Sequence, residues 1–170
     1  MEDKQPKATH SGILQIGGRE IEAHVLNDGT RVLSERGVLR ALDMTAGARD
    51  TEEKLPRYLR GKNIAAIIPA ELKNKLATPL WFTAQGSSAP RKGLPATLLP
   101  EILDVWLKAR DTDILVREQE RTAKMADILM RGLAHIGIIA LVDEATGYQE
   151  IRDRQALKAI LDKYITDELA

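Results

Sequence analysis

Residues 116–149 read VREQERTAKMADILMRGLAHIGIIALVDEATGYQ, and no other segment of the chain carries so long a helical pattern. The stretch begins with a charged helical face and becomes almost wholly apolar over residues 133–142. It stops at the DEATG motif of residues 143–147, where Gly147 suits the left-handed conformation that ends many helices. The sequence therefore predicts one long helix over residues 112–143, on which the other elements pack.

Upstream of this helix, the N-terminal part has the two-residue period of β-strands. Residues 11–16 are an apolar run, and the Gly-Gly pair at 17–18 is a favoured hairpin turn. Residues 19–26 alternate apolar and polar positions, as a half-buried strand does. After an Asn-Asp-Gly turn at 27–29, residues 30–33 complete a predicted antiparallel β-meander that covers one side of the helical core.

The middle of the chain predicts short elements. Ser34 is placed to cap a helix over residues 35–42, and Pro69 suits the first turn of another small helix. Residues 79–83 have strand character because they include Trp and Phe. The composition of residues 85–93, QGSSAPRKG, predicts an exposed loop.

Two further helices follow. Either Pro95 or Pro100 suits the first turn of the next helix, and Asp111 or Thr112 then caps the long one. Residues 153–169 form the cleanest amphipathic stripe of the chain. These patterns predict an α+β fold that is mainly α, with a small N-terminal antiparallel β-meander packed on a C-terminal helical core with one long central helix.

The length of 170 residues predicts one domain in three parts. Residues 1–10 are a polar leader that is expected to be disordered. Residues 11–92 form an N-terminal α+β part with a basic segment at 54–92, and residues 93–170 form the helical part. The chain has no cysteine, which excludes a disulfide framework, a thiolate zinc site and a cysteine nucleophile.

The composition also bears on location. The N-terminus lacks the apolar core of a signal peptide, and the apolar run at residues 133–142 is about half as long as a membrane span and contains His135. The sequence therefore predicts a cytoplasmic protein that makes no membrane contact.

The charge distribution is more informative than the net charge, which is zero. Residues 54–100 contain eight Lys and Arg but one acidic residue, whereas both flanking segments are net negative. A concentrated positive segment is the electrostatic footprint expected of a surface that contacts phosphates, and Tyr58 adds an aromatic neighbour. The predicted nucleic-acid contacts are Arg57, Tyr58, Arg60, Lys62, Lys73, Lys75, Arg91 and Lys92.

The same pattern has a second interpretation. The basic segment can pair with its acidic flanks in the folded chain, which leaves a neutral surface everywhere. A helix-turn-helix, a zinc finger and a phosphate-binding glycine loop followed by Lys-Ser or Lys-Thr are all missing from the sequence. The surface potential decides between the two interpretations.

Gly132 and Gly137 interrupt an otherwise good helix, and each costs up to about 1 kcal/mol relative to alanine. Such glycines are tolerated where another backbone approaches closely. The approaching element is either a helix of the same chain or the same helix of a second copy. In the second case the interface includes Gly132, Gly137, Leu157, Ile160, Leu161 and Tyr164.

Asp143 and Glu144 are the first candidates for chemistry. They offer oxygen ligands for a cation, and His135 is near enough in sequence to act as a general base. The alternative is a structured turn in which the acids pair with Arg152 or Arg154 and the histidine is a core residue. We favour the structural interpretation, because carboxylates at a helix C-terminus need compensation and no nucleophile accompanies His135.

His10, His24 and His135 do not have the spacing of metal ligands. The sequence therefore predicts no catalytic residue, no metal site and no cofactor, and the protein is expected not to be an enzyme.

Three strings resemble a known family. They are GLPATLLPEILDVWLKARD at residues 93–111, ADILMRGLAHIGIIALVDEATGYQ at 126–149 and RDRQALKAILDKYI at 152–165. Together they resemble the phage-derived domain called P-sixty-three-C, whose pattern continues beyond the last helix into an aromatic, charged tail. The order of elements in the N-terminal half is similar in outline to phage antirepressor N-terminal domains. The resemblance implies a phage or prophage protein without enzymatic activity.

Two functions follow as expectations. The first is a phage- or prophage-type regulatory protein that binds DNA or a DNA-bound protein through the basic segment. The second is an interaction module that homo-oligomerises through its C-terminal helices, or meets a regulatory or host protein, without nucleic-acid binding.

Overall fold

The computed structural model describes residues 5–44 and 56–170, so residues 1–4 of the predicted leader and the start of the basic segment lie outside the described residues. Within these two ranges the chain forms five strands, six α-helices and several short 3-10 turns. The strands are β1 (Ala8–Ile16), β2 (Arg19–Leu26), β3 (Arg31–Ser34), β4 (Leu80–Thr83) and β5 (Pro90–Pro95). The helices are α1 (Glu35–Ala41), α2 (Lys62–Ala65), α3 (Ala70–Ala77), α4 (Leu99–Asp111), α5 (Glu120–Thr146) and α6 (Ala156–Leu169).

The predicted fold class is confirmed: the chain is α+β and mainly α. Strands β1 to β3 form the predicted meander, in antiparallel order. Gly17 and Gly18 both have positive φ, at 59° and 81°, as the tight turn between β1 and β2 requires. Because that turn has two residues, every cross-strand pair of the hairpin up to Ser11 and His24 is fixed by it.

The sheet is larger than predicted. Strands β4 and β5 extend it to the antiparallel order β1-β2-β3-β5-β4. Residues 90–93, which were predicted to be part of an exposed loop, form β5 between β3 and β4, so that prediction is wrong. Strands pair through backbone hydrogen bonds, so the polar side chains of these residues do not prevent the pairing. Gly93 has no side chain and lets two neighbouring side chains approach closely. A Cβ at Gly93 would lie 2.2 Å from Cγ1 of Val32.

The leader is also shorter than predicted. Strand β1 begins at Ala8, and the residues before it are held by the sheet. The Thr83 N–H donates to the Pro6 carbonyl at 3.1 Å, and the Asn27 N–H donates to the Lys7 carbonyl at 2.8 Å. These contacts bring β1 beside β4, so the sheet curls around a small apolar cluster. The cluster consists of Ala8, Leu26, Val32 and Phe82, with Leu80 packed against it.

Helix α1 connects the sheet to the main core. The Ser34 hydroxyl accepts a hydrogen bond from the Gly37 N–H at 3.1 Å, which confirms the predicted cap. Gly37 then faces β2 so closely that a Cβ there would lie 2.8 Å from Cα of Ile21. The close approach of helix and strand therefore depends on the missing side chain at this position.

The helical layer differs from the prediction at the start of the long helix. Helix α4 runs through Asp111 and ends at Thr112, so neither residue caps α5. Asp113 has a positive φ of 57°, which reverses the chain, and α5 begins only at Glu120 after a 3-10 turn. At the other end, Gly147 has the left-handed conformation with φ 76°, as predicted.

Burial along α5 is uneven, and this is the main departure from the predicted core. Its buried apolar residues, among them Met125, Ile128 and Leu129, all lie in the first half, where α4 packs on it. Beyond Gly132 the helix is more apolar, yet none of its apolar side chains is fully buried. The longest apolar run of the sequence is therefore partly exposed.

We expect Gly37→Ala to destabilise the fold by about 2 kcal/mol, because the added methyl group meets the β2 backbone and forces α1 away from the sheet. Gly12→Ala is the matched control, since Gly12 has no atom within 4 Å of an added Cβ and an ordinary φ. Urea unfolding followed by circular dichroism measures both variants. Equal stability of the Gly37→Ala variant and the wild type would contradict this packing.

Candidate functional site

The strongest candidate for a polar binding site is a concave surface where α1, the 3-10 turn at Arg57–Leu59 and the strand pair β4–β5 meet. Four cations and an exposed tryptophan converge on it from these separate parts of the sequence. We call this surface the basic depression. It is lined by Arg36, Arg57, Trp81, Arg91 and Lys92, together with Ser34, Glu35 and Leu39.

Regular backbone positions these side chains. Trp81 and Lys92 are directly paired across β4 and β5, and Nζ of Lys92 lies 5.9 Å from the centre of the Trp81 ring. The indole is 51% exposed even though its neighbour Phe82 is buried, because successive strand residues point to opposite faces. A charged group beside an exposed aromatic face is a combination that binds both phosphates and bases.

The charges in the depression are partly neutralised. Arg91 forms an ion pair with Glu22 of β2, and the acidic residue Glu35 is itself one of the lining residues. Among the residues that the structure describes, Arg36 and Lys92 have no carboxylate at ion-pair distance. The depression therefore retains a positive charge, carried chiefly by these two side chains.

Three predicted contacts, Arg57, Arg91 and Lys92, meet in the depression. Lys75 instead lines an adjoining cavity of about 210 Å³ that shares Glu35 and Lys92 with the depression. Its ammonium pairs with Glu71 at 3.7 Å and Glu101 at 3.4 Å. Such pairing is what we expect if acidic residues of the same chain neutralise the basic segment. Arg60, Lys62 and Lys73 line neither surface.

Tyr58 was predicted to be an aromatic contact, and that prediction is wrong. Its side chain is buried in the core beneath the adjoining cavity, and burial raises the pKa of the phenol above its usual range, with a smaller contribution from Glu35. The Tyr58 carbonyl accepts a hydrogen bond from the Trp106 indole N–H at 2.8 Å. Tyr58 thus fixes the 3-10 turn from which Arg57 projects.

Two lining residues with the chemistry to contact a nucleic acid, Arg36 and Trp81, are not among the predicted contacts. Arg36 lies outside the basic segment and joins the depression only through the fold. Trp81 lies inside the segment, and a signal for it existed. In a strand with one buried face, either Trp81 or Phe82 must point outward.

The predicted oligomer interface is only partly available. Gly132 packs under α6 of the same chain, where an added Cβ would lie 2.8 Å from Ile165, 3.1 Å from Leu161 and 3.2 Å from Tyr164. Contacts within the chain therefore occupy Gly132, Leu161 and Tyr164. Leu157 and Ile160 on α6 are half-buried. Gly137 is different, because none of the atoms compared at this position lies within 4 Å of an added Cβ.

The acidic end of α5 is a structured turn, as we favoured. Asp143 is nearly buried, and its Oδ2 accepts a hydrogen bond from Nη1 of Arg152 at 2.7 Å. His135, expected in the core, is exposed and stacks on Tyr164 with ring centres 5.3 Å apart. Among the described residues, no group of three or more His, Cys, Asp or Glu side chains is arranged to hold a metal ion.

One contact between a hydroxyl and an imidazole was not predicted. Ser11 Oγ lies 2.7 Å from Nδ1 of His24, and Nε2 of His24 lies 3.8 Å from Oε2 of Glu22. Ser11 and His24 are directly paired across β1 and β2, so the hairpin register alone brings them together. The distance to Glu22 is longer than a hydrogen bond, so this trio does not form a connected catalytic relay.

By length and composition, one helical segment of the described chain is able to cross a membrane. It is Arg117–Thr146, with a mean hydropathy of 1.7 over its most apolar 18-residue window. The apolar run at residues 133–142 is only part of this segment, which is 30 residues long. The first half of the segment packs into the core with α4, so the segment does not lie free of the domain.

His24 gives a pH-dependent prediction. Burial lowers the pKa of His24, Glu22 opposes this shift, and Arg91 adds to it. Below about pH 6.5 the unfolded chain therefore takes up a proton that the folded chain resists, and the free energy of unfolding falls. We expect the melting temperature of the wild type to fall between about pH 6.5 and 5.5, and that of His24→Gln to fall less.

The exposed His10 provides the control, since His10→Gln should keep the wild-type pH dependence. An equal decline in the His24→Gln variant and the wild type would show that His24 is not the responsible group.

Comparison with models of known protein families, with curated proteins and with solved structures gave no match. Two surfaces of the described residues therefore carry the candidate functions. One is the basic depression and the other is the exposed side of α5.

Proposed function

We propose that the chain is a non-enzymatic regulatory protein that binds DNA at the basic depression. The observation that carries the proposal is the convergence of Arg36, Arg57, Arg91 and Lys92 around the exposed Trp81, from three separate parts of the fold. The phage resemblance of the C-terminal half supports a regulatory role in a phage or prophage. On this proposal the protein acts in the cytoplasm and requires neither a cofactor nor a metal.

The chemistry of the depression suits a nucleic acid better than a simple anion. Arg36 and Lys92 supply charges for phosphate oxygens, and Arg57 adds a planar guanidinium. Trp81 offers a ring face on which an unpaired base can stack, and such stacking is worth about 1–3 kcal/mol per base. The contact is expected to cover a short stretch of nucleic acid, to be mainly electrostatic and to have modest sequence preference.

Arg91 is expected to contribute less than Arg36 and Lys92. Its guanidinium is already paired with Glu22, and a phosphate has to compete with that carboxylate. Substituting Glu22 by Gln would release Arg91, which makes Glu22 a residue that tunes affinity without touching the ligand.

The test is a fluorescence-anisotropy titration of labelled duplex and single-stranded oligonucleotides at about 50 and 200 mM salt. The double variant Arg36→Glu with Lys92→Glu is expected to lose at least about tenfold in affinity and to have a shallower salt dependence. Lys73→Glu is a control for a single charge reversal, since Lys73 is an exposed lysine outside the depression. Trp81→Ala is expected to weaken single-stranded binding more than duplex binding.

Two outcomes contradict the proposal. One is the absence of binding to either oligonucleotide at low salt. The other is an equal loss of affinity in the Lys73→Glu variant, which would mean that binding follows net charge and not the depression. The first outcome would favour the alternative function, an interaction module without nucleic-acid affinity.

A further inference from the structure

The second half of α5 has an uncovered apolar side. Ala134, Ile138, Leu141 and Ala145 follow one another at intervals of four, three and four residues, and all four are exposed. Ile138 is 59% exposed and Leu141 is 63% exposed. We call these four residues the apolar stripe. Val142 flanks it, and Tyr148 and Ile151 continue the exposed apolar surface past the helix end.

The stripe is not the side that holds the domain together. The opposite side of the same helix contacts α6, where Gly132 packs against Leu161 and Ile165. Helix α5 is thus apolar on two sides over residues 133–142, and the chain itself covers one of them. Apolar side chains clustered in this way usually mark a contact surface, whereas single exposed ones have no such meaning.

We propose that a second copy of this chain covers the apolar stripe, with its own α5 lying antiparallel. Intervals of four, three and four are those by which one helix meets another along a seam. A two-fold dimer requires a surface that complements itself. With the two-fold axis between Gly137 and Ile138, Ala134 lies level with Leu141 of the second copy. A small side chain therefore faces a large one on both sides of the axis.

Gly137 supports this arrangement independently of the large side chains. Gly132 is explained by α6, which occupies the space a side chain would need. No such neighbour was found at Gly137, although glycine weakens a helix interior. At the crossing point of two helices, the absence of a side chain allows the backbones to approach closely.

The charges around the stripe favour a protein partner over a lipid bilayer. Asp127 and Arg131 stand at its N-terminal end, where they pair with each other at 3.0 Å, and the exposed Glu144 lies beside its C-terminal end. A polar rim around an apolar centre is typical of a protein interface. A bilayer would have to accept these charges within the hydrocarbon region, which is costly.

The proposed dimer uses Gly137 but otherwise differs from the interface expected from the sequence. Leu161 and Tyr164 serve the contact between α5 and α6 within each chain. In the dimer, each α6 supports its own α5 from behind, so two helical hairpins pack through their α5 faces.

Sedimentation equilibrium on the purified chain tests the proposal. We expect the wild type to be dimeric at about 50 µM, and Leu141→Asp to raise the dimer dissociation constant at least about tenfold, since it buries a charge in the seam. Val116→Asp is the matched control, because Val116 is an apolar side chain of similar exposure, 53%, outside the stripe. Circular dichroism confirms that each variant is folded.

Gly137→Leu separates the dimer from the fold. Leucine is a better helix former than glycine and meets open space in the single chain, so the melting temperature measured at low concentration is expected not to fall. Dimerisation is expected to be lost, because the new side chain lies at the crossing point. A Gly137→Leu variant that dimerises as strongly as the wild type would overturn the antiparallel arrangement.

Two other results overturn the proposal. A wild type that is monomeric at every concentration tested would show that no second copy covers the stripe. Co-sedimentation of a monomeric wild type with phosphatidylcholine–phosphatidylglycerol vesicles, abolished by Leu141→Asp, would assign the stripe to a membrane surface instead.

Discussion

The hydrogen bond from the Trp106 indole to the Tyr58 carbonyl joins helix α4 to the 3-10 turn at Arg57–Leu59. Trp106 belongs to α4 and is fully buried, and Tyr58 belongs to the turn that precedes α2. The bond satisfies the one polar atom of a large core side chain, and an unsatisfied buried donor is costly. It also fixes the turn that carries Arg57. The position of a cation in the basic depression therefore depends on packing in the helical core.

Local stereochemistry made part of this fold predictable. A Gly-Gly turn, a serine cap and a left-handed glycine each act within a few residues, and Gly17, Gly18, Ser34 and Gly147 behave as expected. The contact between Ser11 and His24 was also within reach, because a two-residue turn at 17–18 fixes the register of the hairpin. It was missed because the histidines were considered for metal spacing and not for their cross-strand partners.

The parts of the fold that were not predictable depend on contacts between segments that are distant in the sequence. Strand β5 has a loop-like composition, and only β3 and β4 on either side make it a strand. The late start of α5 depends on the reversal at Asp113, a residue that also suits a helix cap. Three cations of the depression belong to one basic segment and are predictable from its charge, whereas Arg36 comes from another part of the chain. An apolar run also does not ensure burial, since Ile138 and Leu141 of α5 are exposed among the described residues.

The two surfaces differ in chemistry and position. The basic depression is charged and lies on the sheet side, whereas the apolar stripe lies at the end of the helical hairpin. The central claim concerns the first of these, and the two tryptophans of the chain report on it directly. Trp81 is exposed in the depression, whereas Trp106 is buried and hydrogen-bonded. In a ¹H–¹⁵N NMR titration with a DNA oligonucleotide, the account predicts that the indole signal of Trp81 shifts while that of Trp106 stays in place. Saturating DNA that leaves the Trp81 signal unmoved would contradict it.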